Sequence, residues 1–404
     1  MPAELISPLL EQPASEITLS ESSDTEVVEA AVFSPPMAAA ALAPRLAQQA
    51  AASDQVGGFP EEEFRWLRTA SLLTAPLSGD LGGADLMLPN RTLELLQTLR
   101  HVGRGNLAVG RVYEGHANAL MLMQRHGRAE QIKKWAADAR KGHLFGVWNT
   151  QAQDGVRLEA LPNGRFRLHG SKTFGSGAGH LTRPLITGAL PDGSWQMFIL
   201  PTDEQPTTVD PSFWQPLGMQ ATASFRVDLT NAEVGPEDLL GQPGDYYQQP
   251  GFSGGAIRFA AVQLGGAEAV FDETRRFLRD TGRTDDPYQR MRLGELAVLI
   301  ESGNLWLRGA ADHASRPDAD ANADATVAYA NLMRTAIEDI CLRTLQLAER
   351  CVGARGLLRP EPFERLHRDL THYLRQPAPD AAVADAGRFV LEQTTPAYSL
   401  WQHD

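Results

Sequence analysis

From Phe59 to about Ala139 apolar residues recur at intervals of three and four. Phe64, Leu67 and Leu72 open the pattern, and Leu93, Leu95, Leu96, Leu99 and Val102 continue it. That period predicts amphipathic helices. A Gly/Pro-rich stretch, Pro76–Pro89, interrupts them as a loop. Leu107 to Gln124 then reads as a long apolar helix with three polar intrusions, Glu114, His116 and Asn118. It stops at Gly127, and Ala129–Ala139 forms a further helix.

At Gly142 the pattern changes to short apolar runs. His143–Thr150 and Val156–Leu161 are two of them, and Asn163-Gly164 then separates Leu161 from Phe166-Arg167-Leu168. Asn-Gly between such runs is a strong hairpin signal, because both central residues of the tight turn need positive φ. Leu185–Leu190, Pro191-Asp192-Gly193 and Trp195–Leu200 repeat the strand–turn–strand form, and Phe225–Leu229 alternates like a further strand. After the Gly-rich link Gly244–Gly255 the helical period returns. Phe259, Val262, Gly266, Val270, Phe271, Thr274 and Phe277 share one face, and Leu293, Leu296, Ile300 and Leu307 mark the next helix. Ala325–Val352 holds neither Gly nor Pro and carries the stripe Ala330, Ile337, Ile340, Leu345, Ala348. A helix of that length spans ~40 Å at 1.5 Å per residue, which suits a bundle.

The expected architecture is therefore an α+β multidomain fold. It comprises an N-terminal helical domain (59–141), a central β-barrel or sandwich domain (142–243) and a C-terminal four-helix bundle (244–404). Residues 1–58 remain as an acidic and Ala-rich N-terminal tail. The first thirty residues hold seven acids and no Lys or Arg. They offer little apolar surface to offset chain entropy, so Met1 to about Val32 is expected to be disordered. Met37–Ala52 has the composition of a short helix.

Composition narrows the function. The chain has 404 residues, 43% hydrophobic and 22% charged, with a net charge of −13, which opposes a nucleic-acid partner, since phosphate backbones require a basic face. Two cysteines, Cys341 and Cys351, cannot build a disulfide framework, so a reducing, cytoplasmic location is expected. No run approaches the length of a membrane span, and Met1–Glu29 lacks the basic start and apolar centre of a signal peptide.

Chemical motifs are sparse. There is no Walker loop, HExxH or Gly-x-Ser-x-Gly, and the ten histidines are scattered without Cys or carboxylate partners at metal-ligand spacing. No metal is expected. Glu114 and His116 read first as hydrogen-bonded core polars and only second as site residues. Arg365, Arg368 and Asp369 read as a surface ion-pair cluster, and Thr150 and Ser176 as ordinary strand-end residues. Residue chemistry alone leaves the reaction open.

The order of segments resembles the acyl-CoA dehydrogenase flavoprotein family over roughly 59–385. Gly146-Val147-Trp148-Asn149-Thr150 is similar to the family's flavin-touching strand, which normally ends in Thr-Glu. Gly170-Ser171-Lys172-Thr173-Phe174-Gly175-Ser176 resembles its Gly-x-Lys-x-(aromatic)-x-(Ser/Thr) segment. Trp214 with Leu217-Gly218-Met219-Gln220-Ala221-Thr222-Ala223-Ser224 resembles Leu-Gly-Met-x-x-Thr-x-Ser. Arg258-Phe259-Ala260-Ala261 followed by Gly265-Gly266-Ala267 resembles the start of its bundle. Val352-Gly353-Ala354-Arg355-Gly356 and Phe363-Glu364-Arg365-Leu366-His367-Arg368-Asp369 resemble its Gly-Gly-x-Gly and Glu-Arg-x-x-Arg-Asp signatures.

The resemblance implies FAD held between the β domain and the bundle, with its adenine end reaching a second subunit of a homodimer or homotetramer. It places Val147, Asn149, Thr150, Phe174 and Ser176 on the flavin, Arg283 at the pyrophosphate, and Arg350 and Gly353 at the partner's adenosine. It places Glu114 and His116 on the floor of an acyl pocket, and Arg258 at the carrier end of an acyl-CoA or acyl-carrier substrate. The implied activity is oxidation of an acyl thioester with hydride transfer to flavin, electrons passing to an accepting flavoprotein or reductase. The base that this needs is missing. One family position for the Glu reads Pro377-Ala378-Pro379 and the other is Ile257, while Gln151 stands where the family has a second Glu. Asp380, as a relocated base, and His372, one helical turn before Gln376, are the replacement candidates. Three readings follow: a dehydrogenase with a displaced base, a flavin-dependent monooxygenase or oxidase, and a non-catalytic flavin- or ligand-binding relative.

Overall fold

The computed structural model describes residues 33–55, 57–375 and 377–401. The disordered tail expected for Met1–Val32, and the loop residue Gln376, lie outside the described residues. The chain begins with helices α1 (Pro35–Gln49), α2 (Glu61–Thr69), α3 (Thr92–Gly105), α4 (Leu107–His126) and α5 (Ala129–Lys141). Residues 35–58 were expected in the tail, and the structure differs there. Helix α1 buries Ala39, Ala43 and Leu46 against α3, where Gly105 admits the Leu46 side chain. The short helix expected at Met37–Ala52 is present, but small Ala residues carry low hydrophobicity, which is why its packing into the core does not show in composition.

Ten strands follow: β1 (Phe145–Trp148), β2 (Arg157–Ala160), β3 (Phe166–His169), β4 (Ser171–Gly175), β5 (Arg183–Ala189), β6 (Trp195–Ile199), β7 (Thr208–Asp210), β8 (Phe225–Asp228), β9 (Glu233–Val234) and β10 (Leu239–Leu240). They form one sheet in the order β10-β6-β5-β2-β3-β9, with β1 parallel to β5, and a second, β4-β8-β7. The Asn163-Gly164 turn joins β2 to β3 with Ala160 opposite Phe166, and Gly164 has φ 77°. Helices α6 (Ala256–Asp280), α7 (Pro287–Ala314), α8 (Ala323–Gly356), α9 (Pro362–Tyr373) and α10 (Pro379–Glu392) close the fold. Helix α8 continues past the Val352 end suggested by the apolar stripe, with a break in helical geometry at Gly353 (φ 65°, ψ −169°).

Helix α6 is the central strut of the core, touching α3, α4, α7, α8 and α9. Its approach to α3 depends on absent side chains. A Cβ on Gly265 would lie 2.0 Å from the Arg100 carbonyl oxygen, and one on Gly103 would lie 2.5 Å from that of Val262. The Gly-Gly-Ala segment is thus a helix-crossing point. Among the described residues no helix is long and apolar enough to cross a membrane, and Cys341 and Cys351 are free and buried.

Candidate functional site

Helix α4 forms the floor of a cavity of about 640 Å³ between the β sheets and the C-terminal helices. Asn106 caps the helix, its side chain accepting from the Ala108 and Val109 amides. The three polar intrusions divide into two groups. Glu114 lines the cavity, accepting from Arg111 Nη1 at 2.6 Å and from the Asn118 amide one turn away. His116 does not line it. Its Nδ1 accepts the Phe145 amide at 3.1 Å and its Nε2 lies 2.8 Å from the Leu73 carbonyl, so this donor–acceptor pair sets the tautomer. Fully buried, it is held neutral, its pKa pushed down to about 4 by burial. His116 is a pin between α4, β1 and the segment after α2, not a floor residue facing a substrate.

The β wall carries Val147, Asn149, Thr150, Phe174 and Ser176. Asn149 Oδ1 accepts from Thr187 Oγ1 at 2.7 Å and from the Tyr247 hydroxyl at 2.9 Å. Beneath it the fully buried Lys172 donates to the Asn149 carbonyl at 3.0 Å and to Thr187 Oγ1 at 3.1 Å. Burial pushes the Lys172 ammonium down to about 7. Phe174 sits at φ 53° with half its surface exposed, braced edge-on by Phe213 and Trp214. A non-glycine residue in that conformation is uncommon and is held by its surroundings. Beside it the hydroxyls of Ser176, Ser224 and Thr222 are linked in a row at 2.9 and 2.7 Å.

The Leu217–Ser224 loop that supplies this row is clamped to α9. Asp369 accepts the Met219 amide at 2.6 Å and pairs with Arg365 at 3.4 Å, and Arg368 reaches Asp54, Glu364 and the Leu217 carbonyl. Gly218 packs so closely that a Cβ would lie 2.2 Å from the Arg368 carbonyl oxygen. Arg365 and Asp369 are buried rather than part of a surface cluster, because the loop and α9 exclude water from them. Asp54, within the expected tail, is one jaw of the clamp.

The remaining wall comes from segments far apart in sequence: Tyr246 and Phe252, Arg258 and Phe259, Asn331 and Arg334, and His372 to Asp385 around the α9–α10 turn. His372 lies edge-on to Trp214, half-buried, and burial lowers its pKa, which favours the neutral ring. Pro377 lines the cavity, with its carbonyl accepting from Arg334 at 2.6 Å. Ile257 is buried and lines a neighbouring cavity instead. Asp380 is exposed on the first turn of α10 and lies outside the lining; Asp385, one turn further on, is within it. Arg283, Arg350 and Gly353 also lie outside this lining. Arg283 donates to the Cys351 carbonyl at 2.8 Å, which brings it beside the α8 break near Gly353 and Arg350. No cluster of three or more metal-ligating side chains occurs among the described residues.

Two sequence profiles match the chain. That of the Acyl-CoA dehydrogenase, N-terminal domain covers residues 36–143, and that of the Acyl-CoA dehydrogenase, C-terminal domain covers 257–374, together more than half of the chain. The chain belongs to the acyl-CoA dehydrogenase family.

Within that family its relatives divide by chemistry. A protein named dibenzothiophene monooxygenase, from Mycolicibacterium goodii, is 24% identical over 380 residues, spanning 85% of this chain and 90% of its own length. The short-chain specific acyl-CoA dehydrogenase of Clostridium acetobutylicum is 23% identical over 340 residues, spanning 79% and 86%. The crystal structure of FMN-bound TdsC from Paenibacillus sp. A11-2 superposes with a TM-score of 0.80 at 20% identity, covering 91% of this chain and 100% of that one.

The cavity meets the chemical needs of the flavin ring that family membership implies. Phe174 and Trp214 offer flat apolar surface, and Thr150 and the Ser176–Ser224–Thr222 row offer hydroxyl donors and acceptors. The distant contributors Tyr246, Asn331, Arg334 and Asp385 carry no motif at all. Only the tertiary fold brings them to one cavity.

Proposed function

We propose that this family member is a flavin-dependent monooxygenase that uses reduced flavin supplied by a separate reductase. The observation that carries this reading is that no buried carboxylate is left free over the cavity. Pro377 and Ile257 occupy the two places where the family resemblance expects Glu. Among the described residues the lining holds two acids. Glu114 is already held by Arg111 and Asn118, and Asp385 is solvent-exposed. Removal of an acidic α proton would require a carboxylate that can approach the substrate and take that proton. Monooxygenation has no such requirement. Relatives named as monooxygenases, spanning most of the chain, favour the same side.

Reduced flavin, when bound, supplies two electrons for dioxygen, so that one oxygen atom enters the substrate and the other leaves as water. The residues of this chain do the rest. Phe174 and Trp214 would seat the ring, and the Ser176–Ser224–Thr222 row with Thr150 would hold its polar edge. The apolar face made by Met121, Leu122, Phe252 and Phe259 keeps bulk water from the reacting centre. His372, neutral and free of hydrogen bonds among the described residues, is the group on that wall able to move a proton at its ring nitrogens. Arg350 and the Gly353 break, exposed at the end of α8 beside Arg283, belong to a contact with a second copy.

A reductase-coupled assay with a panel of sulfur and nitrogen heterocycles tests the proposal. Oxygenated product formed only when reductase, NADH and dioxygen are all present is the expected result. Anaerobic bleaching of bound oxidised flavin by an acyl-CoA thioester would instead establish the dehydrogenase. Failure to retain any flavin would leave the ligand-binding reading.

A further inference from the structure

Arg258 forms no hydrogen bond or ion pair among the described residues, and its Nε is buried without a partner. It stands on the first turn of α6, half-buried, where the flavin-side cavity meets a second cavity of about 760 Å³. Met121, Gly251, Gly255 and Arg258 line both. The guanidinium is given room by Gly255, where a Cβ would lie 2.4 Å from Arg258 Nη2. The carboxylate whose charge acts on it, Glu114, is committed to Arg111 and Asn118. Although the chain carries a net −13, the flavin-side lining holds four arginines against two acids. Arg375 pairs with Glu338, outside the lining, and Arg334 donates to a carbonyl. Arg258 is the lining arginine with neither.

A cation kept from water without an acceptor is costly, and burial lowers the Arg258 pKa accordingly. Arginine's planar fork is made for two-point recognition of an oxyanion. Apolar and aromatic side chains stand on both sides, Phe259, Phe252 and Tyr246 on one and Met87, Leu95 and Ile257 on the other, while the second cavity also carries Asp80, Asp85, Asp320, Arg125 and Lys133.

We propose that Arg258 anchors an oxyanion on the substrate, so that the substrate class is an organic anion with an apolar or aromatic body. The body lies toward Phe174 and the carboxylate or sulfur oxyanion lies on Arg258 at the junction of the cavities. This rests on the monooxygenase reading only for what then happens to the body. The Ser176–Ser224–Thr222 row lines the flavin-side cavity alone, whereas Arg258 lines both.

The test is calorimetric titration of the full-length, flavin-loaded protein with matched pairs: indole and indole-3-acetate, benzamide and benzoate, benzenesulfonamide and benzenesulfonate. At least one anion should bind about ten-fold or more tightly than its neutral partner, the scale of one charge-assisted contact. In Arg258→Met that preference should fall to about two-fold or less, and Arg258→Lys should recover part of it. If Arg258→Met does not fold, Arg258→Gln reads the same loss of charge. No preference for any anion, or a preference that survives Arg258→Met or Arg258→Gln, overturns the proposal. So does a loss of FMN affinity in Arg258→Met with no change in ligand preference, which would assign the guanidinium to the flavin phosphate. Oxygen-isotope incorporation is scored separately. Anion selectivity without oxygenation would sink the monooxygenase reading and leave the anchor standing; oxygenation of neutral ligands alone would do the reverse.

Discussion

Acid should loosen this protein through His116, and the size of the effect follows from its two hydrogen bonds. In the folded chain Nδ1 accepts from Phe145 and Nε2 donates to Leu73, so a second proton has no place to go without breaking the first bond. Burial holds the pKa at about 4, against 6.5 for an unburied imidazole. The unfolded chain therefore takes up a proton below pH 6.5 that the folded chain refuses until about pH 4. The stabilisation from the neutral ring is complete above pH 6.5 and is lost as the pH falls toward 4. Linkage gives a loss of about 2 kcal/mol at pH 5 and about 3 kcal/mol at pH 4. The comparison variant is His116→Phe, which fills similar volume but strands the Phe145 amide and Leu73 carbonyl. It should be less stable at pH 7.5 by roughly 1–3 kcal/mol for each stranded group. Urea midpoints for both proteins, without added flavin, should converge by about 2 kcal/mol between pH 7.5 and 5. Parallel curves over that range would refute the reasoning. Ligand affinity at pH 7.5 should match wild type, because His116 is absent from the cavity lining.

Other consequences can be checked alongside. Asp369→Ala removes the acceptor of the Met219 amide and leaves Arg365 buried and unpaired, so thermal or urea unfolding should report a loss of about 3–5 kcal/mol. FMN affinity should weaken with it, because the clamp places the hydroxyl row, and Asp369→Asn should lose less of both. Lys172, with a folded pKa near 7 against 10.5 unfolded, should add stability as the pH rises from about 7 toward 10. Urea midpoints of Lys172→Met should lack that alkaline gain. Arg283→Ala and Arg350→Ala should leave FMN affinity unchanged. A weakened affinity for FAD alone would identify the end of α8 as the site of the adenosine half.

Much of the fold was legible because periodicity is local. The stripes of α3, α4, α6 and α8 and the Asn163-Gly164 hairpin each depend on a few neighbouring residues. The cavity-wall residues Asn149, Thr150, Phe174 and Ser176 were legible as well, since short motifs carry them onto that wall. Helix α1 was legible as a short helix, but its place in the core was not, because closely packed alanines show no partner until α3 is known. His116 and Glu114 sit two residues apart on one apolar helix, and only the positions of Phe145, Leu73 and Arg111 separate a structural pin from a cavity residue. Arg365 and Asp369 read as a surface pair because nothing in their own segment shows that the Leu217–Ser224 loop covers them. Asp380 and Asp385 differ only by which side of α10 they occupy. The loss of the expected base was visible as Pro377 and Ile257, but that His372 and Arg258 line the same cavity depends on tertiary placement.

The most direct measurement is the fate of dioxygen. The full-length protein, an NADH-dependent flavin reductase and an accepted substrate would be incubated under oxygen-18 gas and the product analysed by mass spectrometry. One labelled oxygen atom per product molecule, absent when either the protein or the reductase is omitted, is the result expected of a monooxygenase. An unlabelled, desaturated product formed without oxygen would contradict it.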